Sequence, residues 1–290
     1  MLVHIKSIVE DARKRKYAVG SFNIHNVETA LGVTHAAQNT CSPIIIQVSE
    51  STIKYLGLKV VTHIVSTVAK NVATQIPIAL HLDHGTSFAS VIECINAGFT
   101  SVHIDASSMP LDENIKITKQ VVEFARPKGV WVQGEVGAMV GGHGSVGGQI
   151  EIPKASVEDV IRFVEESGVD TIAAAIGTAH GAYTNEAIDF ELLRKITEKV
   201  KIPFVLHGGS GNDPKEVIEA IKGGVDIINI GTDIKVAFCQ ALIKNCQEHP
   251  DETDPRKLLA PTIEAIEKVA TEKIKIFGSA GCYGTPKYQI

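Results

Sequence analysis

The stretch TSVHIDASSMPLDENIKITKQVVEFARPKGVWVQGE, residues 100–135, contains one complete structural unit. It begins with a short β-branched run at 100–105, continues with helical periodicity at 112–127, and ends with a second apolar run at 129–135. A helix between two such runs indicates parallel strands joined by a right-handed crossover. The stretch therefore predicts a βαβ unit.

The same unit recurs along the chain. Strands are predicted at 18–23, 43–48, 77–82, 100–105, 129–135, 170–176, 202–206 and 225–230. Helices are predicted at 26–39, 58–73, 87–97, 112–127, 156–167, 189–199, 213–223 and 233–247, and a further helix at 260–276 follows them. Eight units in about 250 residues are what a (β/α)8 barrel requires, whereas an open doubly wound sheet usually stops at about five to seven strands. We therefore expect an α/β fold, a (β/α)8 TIM barrel with a C-terminal helical extension.

No segment has the composition of an interdomain linker, so residues 1–290 are expected to form a single domain. The glycine-rich stretch VGGHGSVGG at 140–148 follows the fifth predicted strand and is too short for a tether. We expect it to be a mobile loop over the mouth of the barrel.

Composition excludes several classes of partner. The net charge is −5, and the basic residues are dispersed apart from the run Arg13 to Lys16, which favours a solvated helix face over a nucleic-acid patch. The five cysteines show no CxxC spacing and are odd in number, which is typical of a reducing cytoplasm. Because neither a signal peptide nor a membrane span is visible, we expect a soluble cytoplasmic protein that binds neither nucleic acid nor membrane.

Polar residues collect where the predicted strands end, which in barrels of this kind is where the chemistry lies. They comprise three histidines, three carboxylates and several smaller polar groups. In chain order they are Asn23, Ser49, Asp83, His84, Asp105, Glu135, His180, His207, Asn229 and Thr232.

Three of these histidines, His84, His180 and His207, are each followed by glycine. A glycine at that point lets the backbone turn away and leaves room for a substrate. Three imidazoles from separate strands, with a fourth position open, are typical of a catalytic zinc. The alternative, a hydrogen-bonded structural histidine, is the interpretation we give to four others: His35, His63, His81 and His103.

Two glycine-rich turns follow the last two predicted strands: HGGSGND at 207–213 and INIGTD at 228–233. Barrels commonly bind a phosphate at this place, on loop N–H groups and a helix N-terminus. One such turn is a weak signal, because turns need glycine in any case. Two of them beside three histidines favour a phosphorylated substrate.

These motifs resemble the class II, zinc-dependent fructose-bisphosphate and tagatose-bisphosphate aldolases. LDHG, GTAHG and LHGGSG in that order are the most specific, and YAVGSFNIHN, SPIIIQVS and INIGTD extend the resemblance over essentially the whole chain. The resemblance implies that His84, His180 and His207 bind zinc and that Asp83 exchanges a proton with the C4 oxygen of the substrate. It also places Asp105 and Glu135 near the metal, where they can hold it in a second position.

The resemblance further implies a substrate site at the barrel mouth. It assigns the phosphate of dihydroxyacetone phosphate, often with a sodium or potassium ion nearby, to the two glycine-rich turns. The residues matched to that cradle are Gly181, Gly208, Gly209, Ser210, Asn229, Ile230, Gly231 and Thr232. Asn23 and Ser49 match polar positions around the substrate. A homodimer or homotetramer is expected.

Two stretches depart from the family pattern. Where the family usually has Gly-Gly-x-Glu-Asp, this chain has GGHGS at 141–145, so the glutamate that would take the carbon-bound proton is missing. His143 could replace it, as an imidazole that titrates near neutral pH, or could be a solvated loop residue; Glu151 is a second candidate. The family motif DGSH is altered to DASS at 105–108. Both changes leave open an acceptor other than glyceraldehyde 3-phosphate.

Arg256, in the motif DPRKLL, matches an arginine that in the family helps to bind the distal anionic group; its alternative is a salt bridge at a helix start. We therefore expect a ketose 1-phosphate with an anionic distal end, fructose or tagatose 1,6-bisphosphate first, cleaved into dihydroxyacetone phosphate and an aldehyde. A carboxylated or sulfonated acceptor, or a non-catalytic barrel subunit, are the alternatives. A zinc hydrolase is disfavoured because Asn23-Ile24-His25 lacks the HxH pair such barrels usually carry.

Overall fold

The computed structural model describes residues 1–137, 151–179 and 187–284. Eight parallel strands close into a barrel in chain order, with the first strand paired to the eighth. The strands are β1 (Val19–Asn23), β2 (Ile44–Ser49), β3 (Ile78–Gly85), β4 (Ser101–Ile104), β5 (Trp131–Val136), β6 (Thr171–Ala174), β7 (Phe204–Leu206) and β8 (Val225–Ile230). The expected (β/α)8 TIM barrel is confirmed.

Helices follow the strands around the outside of the barrel. They are α1 (Ile5–Arg15), α2 (Val27–Thr40), α3 (Glu50–Leu56), α4 (Leu58–Asn71), α5 (Phe88–Asn96), α6 (Leu111–Ala125), α7 (Val157–Ser167), α8 (Phe190–Lys199), α9 (Pro214–Lys222), α10 (Thr232–Glu248) and α11 (Pro255–Ile276). Several begin directly after a strand because a polar side chain caps them: the Ser49 hydroxyl accepts from the backbone N–H of Thr52, and Asn26 caps α2. No helix within the described residues is long and apolar enough to cross a bilayer.

The interior of the barrel is apolar at its N-terminal end. Buried side chains from six strands form one layer, and α1 closes this end with apolar residues that pack against it. The strand residues of the layer are Val19, Ile45, Ala79, Ala173, Val205 and Ile227. Alternate residues of the same strands, among them Phe22, Ile46 and Leu80, belong to the larger core beneath the helices.

Towards the C-terminal end the buried interior becomes polar. Ser21, Gln47, His81, Ser101, His103 and Gln133 are each at most 3% exposed. Buried polar groups are tolerated only where they find partners, so this part of the barrel is specified by hydrogen bonds or ligands rather than by apolar packing. The functional site is therefore expected at this polar, C-terminal end of the barrel interior.

Apart from shifts of one or two residues at element ends, the predicted elements differ from the observed ones at three points. β3 runs to Gly85 instead of ending at 82, so Asp83 and His84 lie within the strand. The final helix begins at Pro255, because Asp254 caps it, and not at 260. Helix α3, which the sequence reading missed, has only seven residues, too few for helical periodicity to show. The stretch at 140–148, expected to be a loop over the mouth, lies outside the described residues.

Candidate active site

A β-bulge in β3 brings the side chains of Asp83 and His84 close together. Leu82 pairs with Val102 and Gly85 with Ile104, so two residues of β3 stand opposite one residue of β4. His84 takes the left-handed conformation, with φ of 50°. Consecutive strand residues ordinarily point to opposite faces, but here Asp83 Oδ1 lies 3.7 Å from His84 Nε2.

Glycine is required immediately after this bulge. A Cβ at Gly85 would lie 2.6 Å from Val91 Cγ2 and 2.7 Å from the carbonyl oxygen of His103. The His207-Gly208 step behaves differently: Gly208 itself is left-handed, with φ of 68°, and a Cβ there would overlap the carbonyl oxygen of Ala179. The motifs LDHG and LHGG therefore encode two sharp backbone turns at the mouth of the barrel.

Four side chains form a compact cluster with the geometry of a metal site. They are His84, His103, Glu135 and His207, whose ligand atoms all lie within 4.8 Å of one another. His207 Nδ1 is 3.4 Å and His103 Nε2 is 3.9 Å from Glu135 Oε2. The rings of His84 and His207 have centroids 4.8 Å apart. His180, the third histidine expected to bind the metal, lies outside the described residues, next in sequence to the buried Ala179.

The donor set fits a divalent metal ion. His103 is fully buried, yet neither of its ring nitrogens, nor Asp83 Oδ1, has a hydrogen-bond partner among the described residues. Burying a polar atom without a partner costs about 1–3 kcal/mol, a penalty that a cation among these groups would relieve. Imidazoles with a carboxylate are ligands that suit zinc and other borderline metals.

Asp105 orients His84 towards this cluster. Its Oδ2 lies 2.6 Å from His84 Nδ1, and Ser107 Oγ donates to Oδ1 at 2.7 Å. A carboxylate on one imidazole nitrogen fixes the ring and leaves the other nitrogen for a metal. Burial acts to lower the pKa of His84, but Asp83, Asp105 and Glu135 outweigh it and raise the pKa to about 9. The same negative field favours a bound cation.

His207 is held in a similar way from β5. The carboxamide nitrogen of Gln133 lies 2.7 Å from His207 Nε2. Oxygen and nitrogen of a carboxamide are assigned from the hydrogen-bond network, so a metal on Nδ1 would require Gln133 to present its oxygen to the Nε2 proton. Thr178 Oγ1 donates to the His207 carbonyl oxygen at 2.7 Å and fixes the backbone.

Asp83 ends a chain of hydrogen bonds that crosses three strands. Ser21 Oγ donates to Gln47 Oε1 at 2.5 Å, Gln47 Nε2 donates to Asn23 Oδ1 at 2.7 Å, and Asn23 Nδ2 donates to Asp83 Oδ2 at 2.8 Å. Burial acts to raise the pKa of Asp83, but His84 and the Asn23 amide outweigh it and lower the pKa to about 2. Asp83 is therefore an oriented carboxylate beside the cluster.

The two glycine-rich turns meet at one rim of the barrel. Gly209 N–H donates to the Asn229 carbonyl at 3.1 Å, and Asp233 N–H donates to Ser210 Oγ at 3.2 Å. Close packing explains the glycines, since a Cβ at Gly209 would lie 2.5 Å from Ile228 Cγ2 and one at Gly231 would lie 2.7 Å from Asn23 Oδ1. Ile230, Gly231 and Thr232 lead into α10, which begins without a side-chain cap.

Two of the remaining predicted residues, Ser49 and Arg256, form local contacts with residues close in sequence. Ser49 ends β2 and its hydroxyl lies 2.8 Å from that of Ser51. Arg256 is 89% exposed, and its guanidinium donates to both carboxylate oxygens of Asp254, which is the helix-start salt bridge considered as its alternative. Glu151 is exposed. Gly181 and His143 lie outside the described residues.

Three participants were missed from the sequence: His103, Gln133 and Gln47. Each lies two residues before a predicted site residue, at Asp105, Glu135 and Ser49 respectively; Asp105 directly follows β4, and the other two lie within their strands. Because residues i and i+2 of a strand share a face, this alternation was the signal that could have found them. His103 instead received the structural interpretation, although neither of its ring nitrogens has a hydrogen-bond partner within the described part of the chain.

Comparison with known proteins agrees with this geometry. Residues 3–282 match the family described as fructose-bisphosphate aldolase class-II. The chain is 39% identical to the fructose-bisphosphate aldolase of Geobacillus stearothermophilus, over 97% of this chain and 98% of that one. It is 40% identical to the 6-phospho-5-dehydro-2-deoxy-D-gluconate aldolase of Bacillus subtilis, over 96% of each chain.

A solved structure agrees as well. The crystal structure of the YdjI aldolase from Escherichia coli K12 superposes with a TM-score of 0.84 at 31% identity, covering 98% of this chain and 100% of that one. With a family match over nearly its whole length, the chain belongs to the class II fructose-bisphosphate aldolases, metal-dependent carbon–carbon lyases that act on sugar phosphates.

Proposed function

We propose that this protein is a zinc-dependent aldolase that reversibly cleaves a ketose 1-phosphate with an anionic distal end into dihydroxyacetone phosphate and an aldehyde. The observation that carries the proposal is the buried cluster of three histidines and Glu135 beside the oriented carboxylate of Asp83. His84, His180 and His207 would hold the zinc, with Asp105 and Glu135 as neighbouring carboxylates. Among the described residues, His103 is a further histidine of the cluster.

Zinc, when bound, supplies Lewis-acid stabilisation of the negative charge that develops on the ketose oxygens, so no lysine Schiff base is needed. The residues of this chain then divide the proton transfers. In cleavage, the Asp83 carboxylate accepts the proton of the C4 hydroxyl as the C3–C4 bond breaks and the aldehyde forms. The electron pair of that bond stays with the dihydroxyacetone phosphate half, which is completed by a proton on C3.

Two residues are candidates for the group that delivers the C3 proton: His143 and Glu151. His143 offers an imidazole, the side chain most often used as a general acid or base. Glu151 offers a solvent-exposed carboxylate. Replacing each in turn separates them, because loss of the true base slows proton exchange at C3 without displacing the metal.

The phosphate of the dihydroxyacetone half is assigned to Gly181, Gly208, Gly209, Ser210 and the residues from Asn229 to Thr232. Support comes from the uncapped start of α10, where backbone N–H groups and the helix dipole favour an anion. A sodium or potassium ion beside this cradle is part of the proposal. So is a homodimer or homotetramer, in which Arg256 could reach a neighbouring subunit.

The observations constrain the acceptor aldehyde less than they constrain the dihydroxyacetone phosphate half of the substrate. The chain is almost equally similar to a fructose-bisphosphate aldolase and to a 6-phospho-5-dehydro-2-deoxy-D-gluconate aldolase. We place fructose and tagatose 1,6-bisphosphate first, and carboxylated or sulfonated acceptors second. A supporting subunit without activity is disfavoured, because it would have no need of the donor set around Glu135.

The test is to measure metal content and cleavage together. Purified protein should contain zinc by elemental analysis and release dihydroxyacetone phosphate from one of the two bisphosphates. His84→Ala should lose both, whereas His63→Ala, an exposed histidine on α4, should keep both. Full zinc occupancy in His84→Ala would exclude the assigned metal site.

A further inference from the structure

A cavity opens between the turn after β1, helix α3 and the first turns of α10. Its volume is about 450 Å³. Lys235 and Phe238 of α10 line one side, and His25, Thr52 and Tyr55 line the other. No Asp or Glu is among the described residues that line it. The cavity is large enough for the far end of a sugar phosphate.

Lys235 is the one lysine or arginine among the described lining residues. It is only partly exposed and forms no ion pair with a described residue within 4.0 Å. Burial lowers the pKa of its ammonium group, against the attraction of the Asp83 carboxylate. A half-buried ammonium that has no described carboxylate as an ion-pair partner is suited to bind an anion.

Hydroxyl groups face Lys235 across the cavity. Ser51 Oγ lies 2.8 Å from Ser49 Oγ, and Thr52 Oγ1 lies 3.3 Å from Ser49 Oγ and 3.2 Å from His25 Nδ1. Ser49 thereby connects the cavity to the residues that the family resemblance places around the substrate. Hydroxyls beside a cation are suited to phosphate and carboxylate oxygens.

Lys235 is also separated from the proposed phosphate cradle. Asp233, two residues earlier on α10, binds Ser210 through its backbone and Lys273 through its carboxylate. Residues two apart on a helix point in roughly opposite directions, about 200° around the axis. Lys235 and Asp233 therefore lie on different sides of α10.

We infer that Lys235, with the hydroxyls of Ser51 and Thr52, binds the distal anionic group of the substrate. The inference rests on the proposed aldolase function and names the residue that selects the acceptor. It assigns to Lys235 a role that the exposed Arg256, paired with its own helix cap Asp254, does not fill within one chain.

The test is a condensation screen with dihydroxyacetone phosphate. Acceptor aldehydes of matched length end in phosphate, carboxylate, sulfonate or hydroxyl, and kcat/KM is measured for wild type, Lys235→Met, Lys235→Arg and Lys244→Met. Lys244 is a matched control, because it lies on the same helix but is exposed and pairs with Glu248. Metal content and the thermal midpoint of each variant show that fold and metal site are intact.

We expect wild type to prefer one anionic aldehyde over the hydroxyl aldehyde by at least about 10-fold, and Lys235→Met to reduce that preference by about 10- to 100-fold. Lys235→Arg should restore most of it, and Lys244→Met should match wild type. If Lys235→Met keeps the wild-type preference, or if wild type shows no preference, the inference about Lys235 is wrong. Condensation activity in the same assay would still support the proposed aldolase function. Absence of condensation with every aldehyde overturns both.

Discussion

Asp83 and His84 are adjacent in the chain and have different proposed roles. The β-bulge keeps both side chains out of the core beneath the helices. Without the extra residue in β3, one of the two side chains would point into the core beneath the helices. Their surroundings then separate their roles: Asn23 fixes Asp83, and Asp105 fixes His84. The hydrogen-bond chain from Ser21 through Gln47 and Asn23 extends this control deeper into the barrel.

Gln47→Leu is predicted to impair catalysis without touching the substrate. It removes the donor to Asn23 Oδ1 and the acceptor for Ser21, so Asp83 loses its fixed orientation. We expect kcat to fall about 10-fold with KM little changed, and the free energy of unfolding to fall by about 1–3 kcal/mol. Steady-state kinetics and urea unfolding measure the two effects.

Ser101→Ala is the matched control for Gln47→Leu. Ser101 is equally buried in the same polar layer and contacts His81 at 2.9 Å, outside the chain that ends at Asp83. Its kcat should stay within about twofold of wild type. Equal losses of kcat in the two variants would mean that the chain through Asn23 has no special role.

The two ends of the strands differ in what their polar side chains contact. The C-terminal ends hold the cluster, while at the N-terminal end Asp226 of β8 ties β7 and α1 together. Its Oδ2 accepts from the Phe204 N–H at 3.0 Å, and Oδ1 lies 3.4 Å from Arg13 Nε. Burial raises the pKa of Asp226 to about 6, and these two partners offset only part of it.

Asp226→Asn is predicted to change how stability depends on pH. Between about pH 4 and 6 the folded chain binds a proton at Asp226 that the unfolded chain releases, so this residue's contribution to stability falls as pH rises through that window. The asparagine variant should gain about 1 kcal/mol relative to wild type between pH 5 and 8 in urea unfolding. Glu264→Gln, on an exposed part of α11, should show no such change. A constant difference between Asp226→Asn and wild type would contradict the shifted pKa.

The strands could be predicted from the sequence because each is a short apolar run bounded by turn residues. Most of the candidate site followed from one rule, that chemistry collects at the C-terminal strand ends. The bulge at Asp83 and His84 could not be predicted, since it depends on the pairing register of β3 with β4. His103 was missed because its burial beside Glu135 and His207 depends on the closed barrel.

The closed barrel holds the described parts of the proposed site at the C-terminal ends of its strands. The cluster sits on β3, β4, β5 and β7, the phosphate cradle follows β7 and β8, and the Lys235 cavity lies between α3 and α10. Because the strands are rigid and the connecting loops can vary, one scaffold can keep the metal chemistry and change the acceptor. The relatives, which include both a fructose-bisphosphate aldolase and a phospho-dehydro-deoxygluconate aldolase, agree with such variation.

A metal held by these histidines should make the carbon next to the ketone acidic. Proton exchange of dihydroxyacetone phosphate in deuterated water, followed by NMR without any aldehyde, measures this acidity directly. Protein loaded with zinc should exchange the carbon-bound proton, chelator-treated protein should be at least about 100-fold slower, and added zinc should restore the rate. His207→Ala should bind little zinc and show no recovery. Undiminished exchange after complete metal removal, or a covalent adduct trapped by borohydride, would contradict the account.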